Sequence, residues 1–181
     1  SPRNISRTNE GQWMINDINQ QTMTKSVFLS ILLWIFIYPL RVRAIESINF
    51  IHIGVNEGLS QNTVFDITQD KQGNMWFATY DGFNKYDGYN FTVYRHQYKN
   101  PKSIASDITR CVVIDNDNRI WIGTREGLSL YNHRKNEFSN FFYKKKGQNV
   151  TVRNIVPMQK DWLMLGTTEG ILLFDVKGER F

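Results

Sequence analysis

Few residues in this chain have the types and spacing to do chemistry. The run Asp115-Asn116-Asp117-Asn118-Arg119 alternates carboxylates with amides, as a calcium loop does. It lacks the glycine and the distant glutamate of an EF-hand, and a turn between two strands accounts for it better. His52, His96 and His133 are scattered, and no pair has metal-ligand spacing. Asp66 and Asp107 stand near strand entries without a visible nucleophile to serve. Cys111 is the single cysteine, so no disulfide can form within the chain, and its apolar surroundings suggest an inert buried thiol. Arg110 and Arg153 are more informative. Each sits in a short apolar run that reads as a strand, where a guanidinium is unusual. They can receive a carboxylate or sulfate; alternatively they pair with Asp107 or Asp66. No cofactor is called for by any of these groups.

The elements that must position these residues form a repeat. Met75-Trp76-Phe77-Ala78-Thr79-Tyr80-Asp81-Gly82-Phe83 returns as Ile120-Trp121-Ile122-Gly123-Thr124-Arg125-Glu126-Gly127-Leu128, and again as Leu163-Met164-Leu165-Gly166-Thr167-Thr168-Glu169-Gly170-Ile171. The three align without a gap, at offsets of 45 and 43 residues. A period of this size marks a repeat architecture. Trp76 and Trp121 alternate with other apolar residues, so both faces of that strand are covered. Thr79, Thr124 and Thr167 recur three residues before Gly82, Gly127 and Gly170, the pattern of a tight turn in which a hydroxyl satisfies local backbone groups. An apolar strand precedes each Trp strand (64–68, 108–114, 152–156), and two follow it in the first two units (83–86 and 91–94; 128–131 and 138–142). Four antiparallel strands per unit give one blade of a β-propeller. The fold expected is all-β, an incomplete propeller of two to three four-stranded blades, with units at about 58–96, 103–143 and 150–181 inside a region spanning 45–181. Residues 48–53 have the spacing of an outer strand that closes a ring with a blade further downstream. Propellers hold about 4–8 blades, so the chain reads as the amino-terminal piece of something longer.

A recurring Thr, Trp or Gly is structural. Ligand contacts should come from places that differ between units, on the connecting loops. Those places are Tyr80, Arg125 and Thr168 after the repeated Thr, Asp81, Glu126 and Glu169 after them, and Phe65, Arg110 and Arg153 in the first strand. The binding set expected is Arg110, Arg153, Tyr80, Arg125 and Glu126, with no catalytic residue and no metal.

Residues 1–22 are polar and aperiodic and read as a disordered upstream extension. Residues 23–44 hold Met23, Lys25, a 14-residue apolar run at 27–40 and Ala44, the layout of a signal peptide. An uncleaved anchor and a buried core helix are the alternatives, and Arg41 and Arg43 after the apolar run oppose export. The net charge of +5 comes largely from this leader, since residues 45–181 hold 17 basic and 15 acidic residues. That balance argues against a nucleic-acid partner. Lys144-Lys145-Lys146 is the one local run and reads as a solvated hairpin tip between units.

Gly58-Leu59-Ser60-Gln61-Asn62-Thr63-Val64, Asp70, Gly73-Asn74-Met75-Trp76-Phe77-Ala78-Thr79 and Asp81-Gly82-Phe83 resemble the two-component regulator propeller repeat. Asp115, Arg119-Ile120-Trp121-Ile122-Gly123-Thr124 and Glu126-Gly127-Leu128 match it again. The third unit is a degenerate copy, with Met164 at the Trp place and Met158-Gln159-Lys160-Asp161 at the turn. The opening Gly-Leu-Ser-x-Asn resembles the start of the periplasmic sensor region of Bacteroidetes-type hybrid sensor kinases. The resemblance implies a periplasmic or inner-membrane-anchored sensor section, a glycan fragment as ligand, and a histidine kinase in parts of a longer chain absent here. It also implies further blades as partners and allows a homodimer. A propeller enzyme of the streptogramin-lyase type, a protein-interaction propeller and a non-functional truncated fragment are the other readings.

Overall fold

The computed structural model describes residue 25, residues 27–32, 34, 49–159 and 161–181. The chain divides into two units, Ser1–Asn49 and Phe50–Phe181. In the first, residues 25, 27–32 and 34 are helical, with Phe28, Leu29 and Trp34 exposed. Among the described residues no helix is long and apolar enough to cross a membrane. The expected extension at 1–22 lies outside the described residues, as does most of the expected leader at 23–44.

The second unit is made of strands. Its first sheet is β1 (Val64–Gln69), β2 (Met75–Thr79), β3 (Gly82–Tyr86) and β4 (Phe91–Tyr94), antiparallel and in chain order. The next is β5 (Thr109–Ile114), β6 (Ile120–Thr124), β7 (Gly127–Asn132) and β8 (Glu137–Phe141), in the same order. A two-stranded hairpin follows, β9 (Lys144–Lys145) with β10 (Gln148–Asn149). The last sheet has three strands, β11 (Val152–Pro157), β12 (Trp162–Thr167) and β13 (Gly170–Asp175). These are the blades expected, with boundaries within a residue or two. Residues 49–53 belong to the segment expected to pair with a blade further downstream. They form no strand among the described residues, and Phe50 and Ile51 stand 90% and 86% exposed. An extended segment becomes a strand only when another edge satisfies its N–H and C=O groups, and no described edge does so here.

The blades stack through opposite faces of the Trp strand. In β6, Ile120 and Ile122 point toward the first blade, while Trp121 and Gly123 point toward the third. Hence all five residues of β6 are buried. Trp76, Ala78 and Phe83 of the first blade pack in one cluster with Val112, Ile120, Ile122, Tyr131 and Phe138 of the second. Cys111, Trp121 and Leu128 pack in another with Leu163, Leu165 and Phe174 of the third. Gly123 is required at this closeness: a Cβ there would stand 2.4 Å from Cys111 Sγ and 2.9 Å from Val152.

Candidate functional site

The first two blades fix both of their turns by the same hydrogen bonds, and the third blade shares the second set. At the β1–β2 turn, Asp70 accepts from Gln72 N, Asn74 N, Asn74 Nδ2 and the buried indole Nε1 of Trp76, all at 2.9–3.0 Å. At the β5–β6 turn, Asp115 accepts from Asp117 N, Arg119 N, Arg119 Nε and Trp121 Nε1. Burial alone would raise both carboxyl pKa values; the hydrogen bonds outweigh it and hold both below the usual Asp value. The apparent calcium loop is therefore a turn whose carboxylate is engaged by protein donors. In the third blade Met158 and Met164 replace Asp and Trp together, so donor and acceptor are exchanged as a pair.

At the opposite end, the repeated threonine works as its recurrence suggested. Thr79 Oγ1 donates to Gly82 O at 2.7 Å and accepts from Asp81 N at 3.3 Å. Thr124 and Thr167 make the same pairs with Gly127 and Gly170, and with Glu126 N and Glu169 N. The next residue in each turn ties back to the entry of its blade's first strand. Tyr80 N donates to Thr63 O, Arg125 N to Ile108 O and Thr168 N to Thr151 O, at 2.9–3.2 Å. The variable turn positions thus sit beside the variable strand positions in every blade.

Those strand positions share a special geometry. The β1–β2 ladder breaks register between Val64 and Asp66, the β5–β6 ladder between Thr109 and Cys111, and the β11–β12 ladder between Val152 and Asn154. The residue between, in each case, is Phe65, Arg110 or Arg153. A β-bulge leaves its extra residue unpaired and re-aims the side chain. The three side chains line one open cleft of about 420 Å³. The Arg110 guanidinium lies 4.5 Å from the Phe65 ring centroid, a cation–π contact. Tyr80 extends the aromatic surface, with its ring 6.3 Å from that of Phe65.

Pairing of these arginines with blade carboxylates is not what the structure has. Asp66 accepts from Ile67 N and Val112 N, and Asp107 accepts from His96 N. Among the described residues neither Arg110 nor Arg153 makes an ion pair. Arg125 and Glu126 stand apart from this row, in a second, polar cleft of about 590 Å³. One wall of that cleft is the hairpin of β9 and β10, where the Lys run suggests only a solvated tip.

Two of the histidines serve packing: His96 Nδ1 lies 2.9 Å from Ile104 O, and His133 meets the Trp76 and Tyr131 rings edge-on. Cys111 is buried, and burial pushes its thiol up to about 12.

The family model of the two-component regulator propeller matches residues 58–81 and 103–126, each running from a blade's entry to its threonine turn. The chain carries two-component regulator propeller repeats. Both matched repeats are those with an Asp–Trp pair. The extracellular domain of a protein described as a hybrid two-component system from B. thetaiotaomicron is 34% identical, with a TM-score of 0.63 over 72% of this chain and 19% of that one. A second such extracellular domain from B. thetaiotaomicron has a TM-score of 0.58 at 17% identity, again over 72% and 19%, and speaks to the propeller fold alone. A histidine kinase, P4 of Formosa agariphila, is 49% identical over 49 residues, 27% of this chain and 4% of the relative. The chain thus spans about a fifth of the solved extracellular domains and a small part of the curated kinase. The chain is thus similar in its repeats to the two-component regulator propeller and in its fold to part of these extracellular domains.

Proposed function

We propose that this chain is the ligand-sensing, extracytoplasmic propeller section of a hybrid two-component signalling protein, and that its ligand is a glycan fragment. The observation that carries the reading is the row of bulge residues. Three equivalent positions, which a purely structural repeat would fill alike, hold Phe65, Arg110 and Arg153 side by side, and among the described residues neither arginine has a carboxylate partner. An aromatic face beside unpaired guanidinium groups suits a sugar ring that carries a carboxylate or sulfate. Tyr80 adds to the aromatic face from the adjoining turn. The ligand is bound and released without being turned over. Its binding energy biases the arrangement of the blades, and kinase activity belongs to other parts of the longer protein. Location in the periplasm, by export or by an inner-membrane anchor, follows from this role, and the receptor acts with further blades and in dimers.

The test is to sequence the locus through its 3′ end. Additional propeller repeats followed by a membrane helix and histidine kinase motifs are expected. A stop codon directly after Phe181 would refute the sensor role for this product.

A further inference from the structure

The cleft walled by β9 and β10 has an electrostatic pattern that the sensor reading alone does not use. The hairpin is well defined by its turn. Lys146 and Gly147 have φ of 53° and 80°, the two left-handed positions of a type I′ turn between the paired residues Lys145 and Gln148. Its base is closed by Val150 N donating to Tyr143 O at 3.0 Å. One side of the hairpin is tied to the third blade by Lys145 Nζ and Glu169 Oε2, 2.8 Å apart. The other is tied to the second blade by Asn149 Nδ2, which donates to Glu126 Oε2 at 3.1 Å. The hairpin therefore bridges the threonine turns of two neighbouring blades.

These ties leave a definite surplus. Among the described residues, the guanidinium of Arg125 and the ammonium of Lys144 have no ion pair or side-chain hydrogen bond, whereas the two carboxylates of the cleft, Glu126 and Glu169, are both engaged. Asn149 Oδ1 is buried without a donor. Lys144 belongs to the hairpin and Arg125 to the second blade's turn, so both unpaired cations sit on the rim of one cavity. The uncommitted oxygen of Glu126 remains as an acceptor for hydroxyl groups. No aromatic residue lines this cleft. A sugar here is held by its substituents, in contrast to the stacking surface of Phe65 and Tyr80.

We infer that this cleft is a second binding site, for a saccharide unit bearing one carboxylate or sulfate, with Arg125 and Lys144 on the anion and Glu126 on neighbouring hydroxyls. The choice of a saccharide rests on the glycan-sensor reading; the demand for an anion rests on the cleft alone.

Two-dimensional ¹H–¹⁵N NMR of the 181-residue chain tests it. The probes are galacturonate, N-acetylglucosamine 6-sulfate, neutral galactose and inorganic sulfate. The two acidic sugars carry different anions, and the one whose shifts saturate at the lower concentration is the better fit to the cleft. The expected result is saturable shifts at residues 125–126, 144–149 and 168–169 with an acidic sugar, and none with galactose. Lys144→Ala, an exposed change on the hairpin, should weaken that binding by at least about tenfold, the loss of one charge-assisted contact. Arg110→Ala should leave it unchanged. Absence of saturable shifts with either acidic sugar overturns the inference. So does equal binding of inorganic sulfate, which would make the cleft a simple anion site. Binding that survives Lys144→Ala and is lost in Arg110→Ala would place the sugar at the bulge row, preserving the sensor reading while refuting the second site.

Discussion

The Asp–Trp bond at the β5–β6 turn makes a prediction that can be worked through quantitatively. Trp121 is 1% exposed, and its indole N–H has one acceptor, Asp115 Oδ2 at 2.9 Å. In Asp115→Ala that N–H is left buried and unpaired, at a cost of about 1–3 kcal/mol. The turn donors Asp117 N and Arg119 N also lose their acceptor, but this turn is partly solvated and water replaces it at small cost. Arg119 keeps Asp117 and Asp161 at 3.1 and 3.2 Å. The single change should therefore cost about 2–4 kcal/mol. Trp121→Phe removes the donor itself and keeps most of the apolar volume. Once it is in place, Asp115→Ala no longer orphans a buried group, so the two changes should be sub-additive by about 1–2 kcal/mol. Urea unfolding followed by far-ultraviolet circular dichroism at neutral pH, on the chain, both single variants and the double variant, supplies the four free energies. Additivity within about 0.5 kcal/mol would refute the account, because the carboxylate would then be serving the turn alone.

Three further outcomes follow from the same geometry. Asp70 and Asp115 have folded pKa values below the unfolded value of about 3.9, so the stability they confer is complete above that pH and is lost as pH falls toward the folded values; acid titration should show unfolding that begins below about pH 4, with a shallower acid limb in Asp115→Asn. Gly127→Ala should destabilise much more than Gly170→Ala, by thermal melting: Gly127 has φ 144° and a Cβ there would meet Phe141 O at 2.5 Å, whereas Gly170, at φ 101°, has open space and bears only the backbone cost of about 1–2 kcal/mol. Equal losses would show that the close approach of β7 to β8 is not limiting. Cys111, with its thiol pushed up to about 12 by burial, should resist iodoacetamide at pH 8 in the folded chain and react promptly in urea; fast labelling of the native chain would contradict the packing of β5 against the third blade.

The three units were legible in the sequence because their signals are local. A strand covered on both faces shows as an unbroken apolar run, and Thr-x-x-Gly announces its turn wherever it occurs. The places of variation, at Phe65, Arg110 and Arg153, could also be found by aligning the units. What could not be read is that these residues occupy β-bulges, since a bulge is a property of two strands paired out of step and neither strand alone records it. The bond from Trp121 to Asp115 spans six residues across a turn and becomes visible only when that turn is folded. Lys144, Lys145 and Lys146 look like any solvated run until Lys145 is seen to reach Glu169 on the next blade. For residues 48–53 the expected partner edge is a blade further downstream. Their alternation is that of a strand, but strand formation depends on a paired edge, which their own sequence does not contain.

The central claim is that the bulge row recognises a glycan, and an array of purified oligosaccharides probed with the labelled chain tests it most directly. The account predicts selective binding to glycans that carry uronate or sulfate groups, reduced at least about tenfold in Arg110→Ala and Arg153→Ala, consistent with loss of a charge-assisted contact. Binding that ignores the acidic groups, or that persists at full strength when both arginines are removed, would contradict it.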